Sequence, residues 1–284
     1  MHILQAIIMG IVQGLSEFLP ISSSAHLVIS SNLYKFFTGN ELQTETSQEI
    51  FLDIMLHLGT LIAVLIYFRK DIIDIIKAFF SALKNKDFSS NQAKLALYIA
   101  FGTVITIFIA YPLNTVAEKL VFLPAVVGIL LIFTGIFLIS SEIYSKKIPE
   151  KKQEIDLKTA ITMSIFQGIA ALPGFSRSGL TIASGLFSKQ ERLSAARYSF
   201  LLSIPIILGA SMLYPIIKID MSEFMNYNWN AIVLGTVVSA IVGYLCIKYF
   251  LKFLAKYSLA FFGYYCIIIG IATFVFFNIF LGGI

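Results

Sequence analysis

The sequence predicts an all-α polytopic membrane protein with about six transmembrane helices and two re-entrant helical hairpins, arranged as an inverted-topology repeat. Three observations carry that expectation. Of the 284 residues 58% are hydrophobic and only 13% charged, and the mean hydropathy is +0.86, outside the range of soluble domains. The apolar runs are long and unalternated, which fits helices and not the strands of a membrane barrel. Two apolar stretches, 3–33 and 158–188, are interrupted by Pro and Ser and break into arms of about 10 to 16 residues. Such an arm reaches about 15–24 Å, short of a hydrocarbon core of about 30 Å.

The six full spans fall near 51–68, 92–111, 121–141, 197–217, 230–250 and 258–281. The whole chain, 1–284, reads as one membrane domain, with repeats near 1–145 and 155–284. The distribution of Lys and Arg tests the layout, because cytoplasmic loops hold the excess. Sixteen of the 21 collect on one side, in the loops 69–91 and 142–158, after the second hairpin, and at 248–256. Lys35, Lys119 and Lys218 lie on the other side. This bias holds only if both hairpins return to the side they entered, the first from outside and the second from the cytoplasm. Their sequences correspond: Gln13-Gly14 then Leu19-Pro20 and a Ser cluster, against Gln167-Gly168 then Leu172-Pro173 and Ser176-Arg177-Ser178-Gly179. The N-terminal segment lacks a secretory cleavage pattern and is expected to remain. The net charge of +5 resides in loops and gives no reason to expect nucleic acid. Cys246 and Cys266 lie in apolar runs and are expected to pack, with neither a disulfide nor a metal assigned to them.

The polar residues inside the hairpins define the chemistry. In the first, Gln13 and Glu17 share a helix face, Pro20 ends that helix and Ser22 caps the next, which carries Ser23, Ser24 and His26 on its first turns. A helix N-terminus binds anions, phosphate above all. A carboxylate within the membrane costs on the order of 2.5–3.5 kcal/mol, so Glu17 needs a functional reason. In the second hairpin Pro173, Gly174 and Gly179 bend the chain, Ser176 caps and Ser178 follows. Arg177 projects from the helix start, where its planar fork matches phosphate oxygens. An ion pair from Arg177 to Glu17 or Asp53 is the structural alternative, and both readings are compatible. Asp53 and His57 share a face of the first full span. A solvated Asp53 near the interface explains that pair as well, and helix packing accounts equally for Tyr198, Ser199 and Ser203.

These residues place the chain beside a known family. From end to end it resembles the undecaprenyl-diphosphate phosphatases linked to bacitracin resistance, most sharply from Gly14 to His26 and from Leu172 to Gly179, with support from Phe51 to Arg69 and from Phe200 to Pro205. The resemblance implies removal of the terminal phosphate from a C55 polyprenyl diphosphate, which recycles the carrier for cell-envelope glycan synthesis. It also implies a site in the cell membrane open to the outer face, and a divalent cation, Mg2+ or Ca2+. Residue by residue it implies catalytic roles for Glu17, Ser23, His26 and Arg177. One departure bears on the metal: the family commonly has two glutamates in the first motif, and the earlier is Gln13 here, which keeps an oxygen ligand and loses the charge. Ala25 stands for the family's usual Gly.

Together these readings give Ser23 as nucleophile, with His26 or Glu17 taking its proton, or direct attack by water as the competing mechanism. Ser22, Ser24, Ser176, Ser178, Gly174 and Gly179 are expected around the phosphates, and Glu17 with Gln13 at the metal. The expected partners are the polyprenyl diphosphate and the bilayer, and a homodimer is compatible with both. A secondary transporter or lipid flippase would use the same architecture; the polar set favours phosphate chemistry over ion coupling.

Overall fold

Proline, glycine and serine decide where the chain turns within its apolar runs. The computed structural model describes residues 2–38, 46–218 and 224–279. Helix α1 (Ile3–Ser16) stops four residues before Pro20, whose ring disfavours helical backbone at Leu19. A turn follows to Ser22, which adopts φ +70° and accepts a hydrogen bond on its hydroxyl from the Ala25 N–H at 3.2 Å, so that α2 (Ser23–Thr38) begins. The second hairpin repeats the device. Helix α7 (Leu157–Ile169) gives way to a turn through Gly174 at φ +103°, and Ser176 caps α8 (Arg177–Phe187) by accepting from the Gly179 N–H at 3.0 Å. At 11 to 16 residues these arms match the expected lengths and are too short to span.

Among the described residues, six helices are long and apolar enough to cross a membrane. They are α3 (Ser47–Tyr67), α5 (Asn91–Leu120), α6 (Pro124–Lys146), α9 (Arg192–Lys218), α10 (Trp229–Leu254) and α11 (Ala260–Ile279). They fall on the six expected segments with shifted ends. Helix α5 continues through Pro112 to 30 residues, because in an apolar setting the flanking backbone is best satisfied by staying helical. The expected loop 69–91 is a correction: it holds α4 (Arg69–Asn85). Charge assigned it to the aqueous side, but Ile75 and Ala82 are buried against the bundle, and that periodic face makes it a helix.

The two ends of the bundle are distinguished by their polar contacts. At one end Glu142, 1% exposed, accepts from Arg192 Nε and Nη2 at 2.7 and 2.6 Å and from the Leu259 N–H at 3.0 Å. Arg197 pairs with Asp71, Asn91 donates to Glu154, and Lys152 bridges to Gln190. The Lys- and Arg-rich connections therefore share one end. At the other end Lys35 of α2 meets Glu49 of α3 at 3.6 Å. The hairpins enter from opposite ends, as an inverted arrangement requires.

Small residues let the helices touch backbone to backbone. A Cβ on Gly135 of α6 would lie 2.4 Å from the Gly263 carbonyl of α11, and one on Gly263 would lie 2.8 Å from the Gly135 carbonyl. Gly128 and Gly270 repeat the reciprocal contact one heptad away. Gly135→Val should therefore force α6 and α11 apart and cost about 1–3 kcal/mol, read as a fall of several degrees in thermal unfolding of the detergent-solubilised protein. Gly209→Ala, where nothing lies within 4 Å of the added carbon, should leave that midpoint unchanged.

Candidate active site

The turns of the two hairpins meet, and serine hydroxyls join them. Ser178 Oγ donates to the Leu19 carbonyl at 2.9 Å and Ser22 Oγ to the Phe175 carbonyl at 3.2 Å. From α6, Thr134 Oγ1 accepts from the Ser176 N–H at 3.2 Å and donates to the Gly174 carbonyl at 3.3 Å, fixing the second turn. Backbone groups left open where helices break inside an apolar bundle are satisfied in this way.

At this junction sits Glu17, 7% exposed. Arg177 Nη2 donates to its Oε1 at 2.5 Å. Its Oε2 accepts from Ser23 Oγ at 2.7 Å and from Gln13 Nε2 at 3.0 Å, and His57 Nε2 lies 3.8 Å away. Four charged or polar side chains from four helices, α1, α2, α3 and α8, thus converge on one carboxylate. Two buried atoms in this cluster make no hydrogen bond among the described residues: Gln13 Oε1 and Arg177 Nη1. One is an acceptor and the other a charged donor, and buried groups of either kind are normally matched. A cavity of about 350 Å³ adjoins the cluster, with Ser24, Asp53 and His57 among its walls and Lys35 and Glu49 towards the end of α2. Among the described residues, no three His, Cys, Asp or Glu side chains gather to hold a metal ion.

A family model described as "Bacitracin resistance protein BacA" matches residues 6–272. The chain belongs to the BacA family. Relatives of this family member called "Undecaprenyl-diphosphatase" include those of Methanosphaera stadtmanae, 39% identical over 97% of this chain and 98% of the relative, and Methanobrevibacter smithii, 40% identical over 97% and 98%. That of Halothermothrix orenii is 38% identical over 99% of this chain and all of its own.

In this BacA-family chain the expected residues divide by what they touch. Glu17, Ser23, Arg177 and Gln13 come together. His26 does not join them: its Nδ1 donates to the Ser22 carbonyl at 2.8 Å, and its Nε2 lies 2.8 Å from the Tyr265 hydroxyl of α11, with the rings stacked. With Nδ1 carrying the proton, Nε2 accepts from Tyr265 and both ring nitrogens are engaged. Ser22, Ser176 and Ser178, at 1–2% exposure, are taken up by caps and by the join between hairpins. Gly174 and Gly179 serve close packing, against Val127 and Ser176 respectively. Ser24 lines the cavity. Ser199 bonds Thr181 at 2.5 Å, Ser203 donates to the Phe200 carbonyl and Tyr198 to the Tyr98 carbonyl, so all three belong to helix packing. Both cysteines are buried and unpaired with each other.

His57 is the residue that sequence reasoning left out of the site. Its i,i+4 spacing from exposed Asp53 was visible, and Nδ1 does sit 2.9 Å from the Asp53 carbonyl, but nothing local places it beside Glu17. Tyr265 and Thr134 sit in apolar runs and carry no signal of their own.

The Glu17–Arg177 pair should be strongly coupled. Glu17→Gln or Arg177→Gln alone leaves one charge buried without its partner and should cost roughly 3–5 kcal/mol, measured by denaturation in mixed detergent. The double variant should lose clearly less than the sum of the two. Strictly additive losses would show that the pair does not hold the hairpins together.

Proposed function

We propose that the chain hydrolyses the terminal phosphate of a long polyprenyl diphosphate such as undecaprenyl diphosphate, leaving the monophosphate carrier and inorganic phosphate. The observation that carries this reading is the join of the hairpin turns. Ser23 Oγ donates at 2.7 Å to a carboxylate, beside a guanidinium whose Nη1 has no hydrogen-bond partner among the described residues. Arg177 is shared between Glu17 and the incoming phosphate, so the ion pair fills the site until substrate arrives. The names of relatives that match nearly end to end support the same chemistry.

In the reaction Ser23 Oγ attacks the terminal phosphorus, its proton passes to Glu17 Oε2, and the bond to the bridging oxygen breaks with its electrons on the departing polyprenyl monophosphate. Water then attacks the phosphoserine, the phosphorus–Ser23 Oγ bond breaks as the proton on Glu17 returns to Ser23 Oγ, and inorganic phosphate leaves with both protons of the water. Arg177 balances charge on the transferring oxygens throughout. His26, held by Tyr265, keeps α2 against α11 and so positions Ser23. The base in this scheme is Glu17.

A divalent cation, Mg2+ or Ca2+, fits the donor set. Gln13 Oε1 is a buried oxygen without a hydrogen bond, one helical turn from the Glu17 carboxylate, and such ions commonly take one or two protein oxygens and complete their shell with substrate phosphate. Gln13 and Glu17 would hold the ion, which when bound supplies positive charge to the phosphate oxygens. The protein belongs in the cell membrane with the site open to the outer face, supported by a cavity that lies away from the Lys- and Arg-rich end.

A transporter would need a gradient, and hydrolysis does not. Phosphate release from polyprenyl diphosphate by the purified protein in detergent is the deciding assay; none at any cation concentration would end the proposal. Ser23→Ala should lower kcat by at least roughly a thousandfold, and a phosphoenzyme trapped by acid quench should map to Ser23. Near-normal turnover in that variant would transfer the attack to water. Gln13→Glu adds a second carboxylate and should lower the cation concentration needed for half-maximal activity about tenfold or more; an unchanged cation dependence removes Gln13 from the metal.

A further inference from the structure

One helix stands outside the repeat. Gln13 and Gln167 lie 154 positions apart, whereas Gly128 and Gly263, which make corresponding contacts in α6 and α11, lie 135 apart. The difference of 19 positions matches α4, 17 residues long, with its connection. The first half has this element in addition to what it shares with the second.

The surface of α4 is specific. Its inner face, with Ile75 and Ala82 buried, packs on the bundle, and Asp71 pairs with Arg197 of α9. Beside that face runs an exposed apolar stripe of Ile73, Ile76, Phe80 and Leu83, between 48% and 64% exposed. On the far flank of the stripe, Lys70, Lys77 and Lys84 recur every seven residues and are all exposed. At 100° per residue the three lysines fall within about 40° of one another, directly adjoining the stripe. Of the two acidic side chains on α4, Asp71 is paired with Arg197 and Asp74 lies beyond the lysines.

Placement selects the occupant. Phe68 both closes α3 and opens α4, and α5 begins six residues after α4 ends. Both ends of α4 are thus held at the basic end of the bundle, by two helices that cross the membrane, so α4 runs along that boundary and not across it. An amphipathic helix at this level, with apolar side chains beside a row of lysines, buries the stripe among acyl chains while the lysine stems reach up to the headgroups. We propose that α4 is an interfacial binding surface for anionic phospholipid headgroups, with Lys70, Lys77 and Lys84 as the headgroup contacts and the Ile73–Leu83 stripe as the inserted face. An opposite charge at the leaflet surface complements the lysine row.

The test uses the full chain in nanodiscs of phosphatidylglycerol and phosphatidylcholine. Phe80→Trp reports depth, with the contribution of Trp229 read from the parent protein. Its fluorescence should be quenched by lipids brominated near the headgroup end of the acyl chain, and less by those brominated near the terminal methyl. Lys70→Gln/Lys77→Gln/Lys84→Gln should lower the preference of bound lipid for phosphatidylglycerol over phosphatidylcholine, counted by native mass spectrometry, at least roughly fivefold. Phosphate release by that variant in neutral detergent should match the parent. A Trp at position 80 that brominated lipid does not reach, whether it faces water or a second copy of the chain, overturns the proposal. So does a lipid preference that survives loss of the three lysines.

Discussion

The ion pair between Glu17 and Arg177 is the constraint on which the arrangement of the hairpins depends. Each residue alone is an expensive charge inside an apolar bundle. Neither can be neutralised within its own hairpin, because the nearby polar groups there are serines, a glutamine and backbone. The charges are satisfied only when two hairpins that enter from opposite ends bring their turns together, and at 2.5 Å they do. The pair forms only because both helices break at matching depth: a longer α1 or α7 would carry its turn past the partner.

Around this pair the polar residues divide their tasks by burial. Ser22, Ser176 and Ser178 spend their hydroxyls on open backbone groups and on each other, which is what makes two broken helices tolerable in the interior. Ser23, one residue along from Ser22, is only partly buried, and its hydroxyl is directed to a carboxylate instead. A difference of one position at the start of α2 separates a hydroxyl spent on the backbone from one directed at Glu17. The Ser22 carbonyl settles the tautomer of His26 by accepting from Nδ1, and Tyr265 engages the ring nitrogen that is left.

Much of this was legible in the sequence because it is local. Pro20, Gly174 and the capping serines fix the turns through their own backbone preferences, and apolar length fixes the spans. Glu17, Gln13 and Ser23 were read together because one helix turn and one short loop hold them. Arg177 could be assigned to them only because an intramembrane guanidinium demands an anion and few are available. What escaped was set by packing between distant segments. His26 looks like a partner for Ser23 by spacing, yet Tyr265, 239 positions away, draws its ring aside. His57 reaches Glu17 because α3 packs against α1, which no spacing encodes. The helical character of α4 was hidden by its lysines, which suggested a loop while its buried face followed a helical period.

The reciprocal glycine contacts between α6 and α11 have a geometric consequence. Gly128 meets Gly270 and Gly135 meets Gly263, so the two helices run antiparallel and the seam looks the same from either side. Such a seam is self-complementary: a polypeptide half this size, inserted in both directions, would find its own duplicate across it. The fusion of two such halves then needs no new interface along this seam, provided each half keeps its pair of glycines.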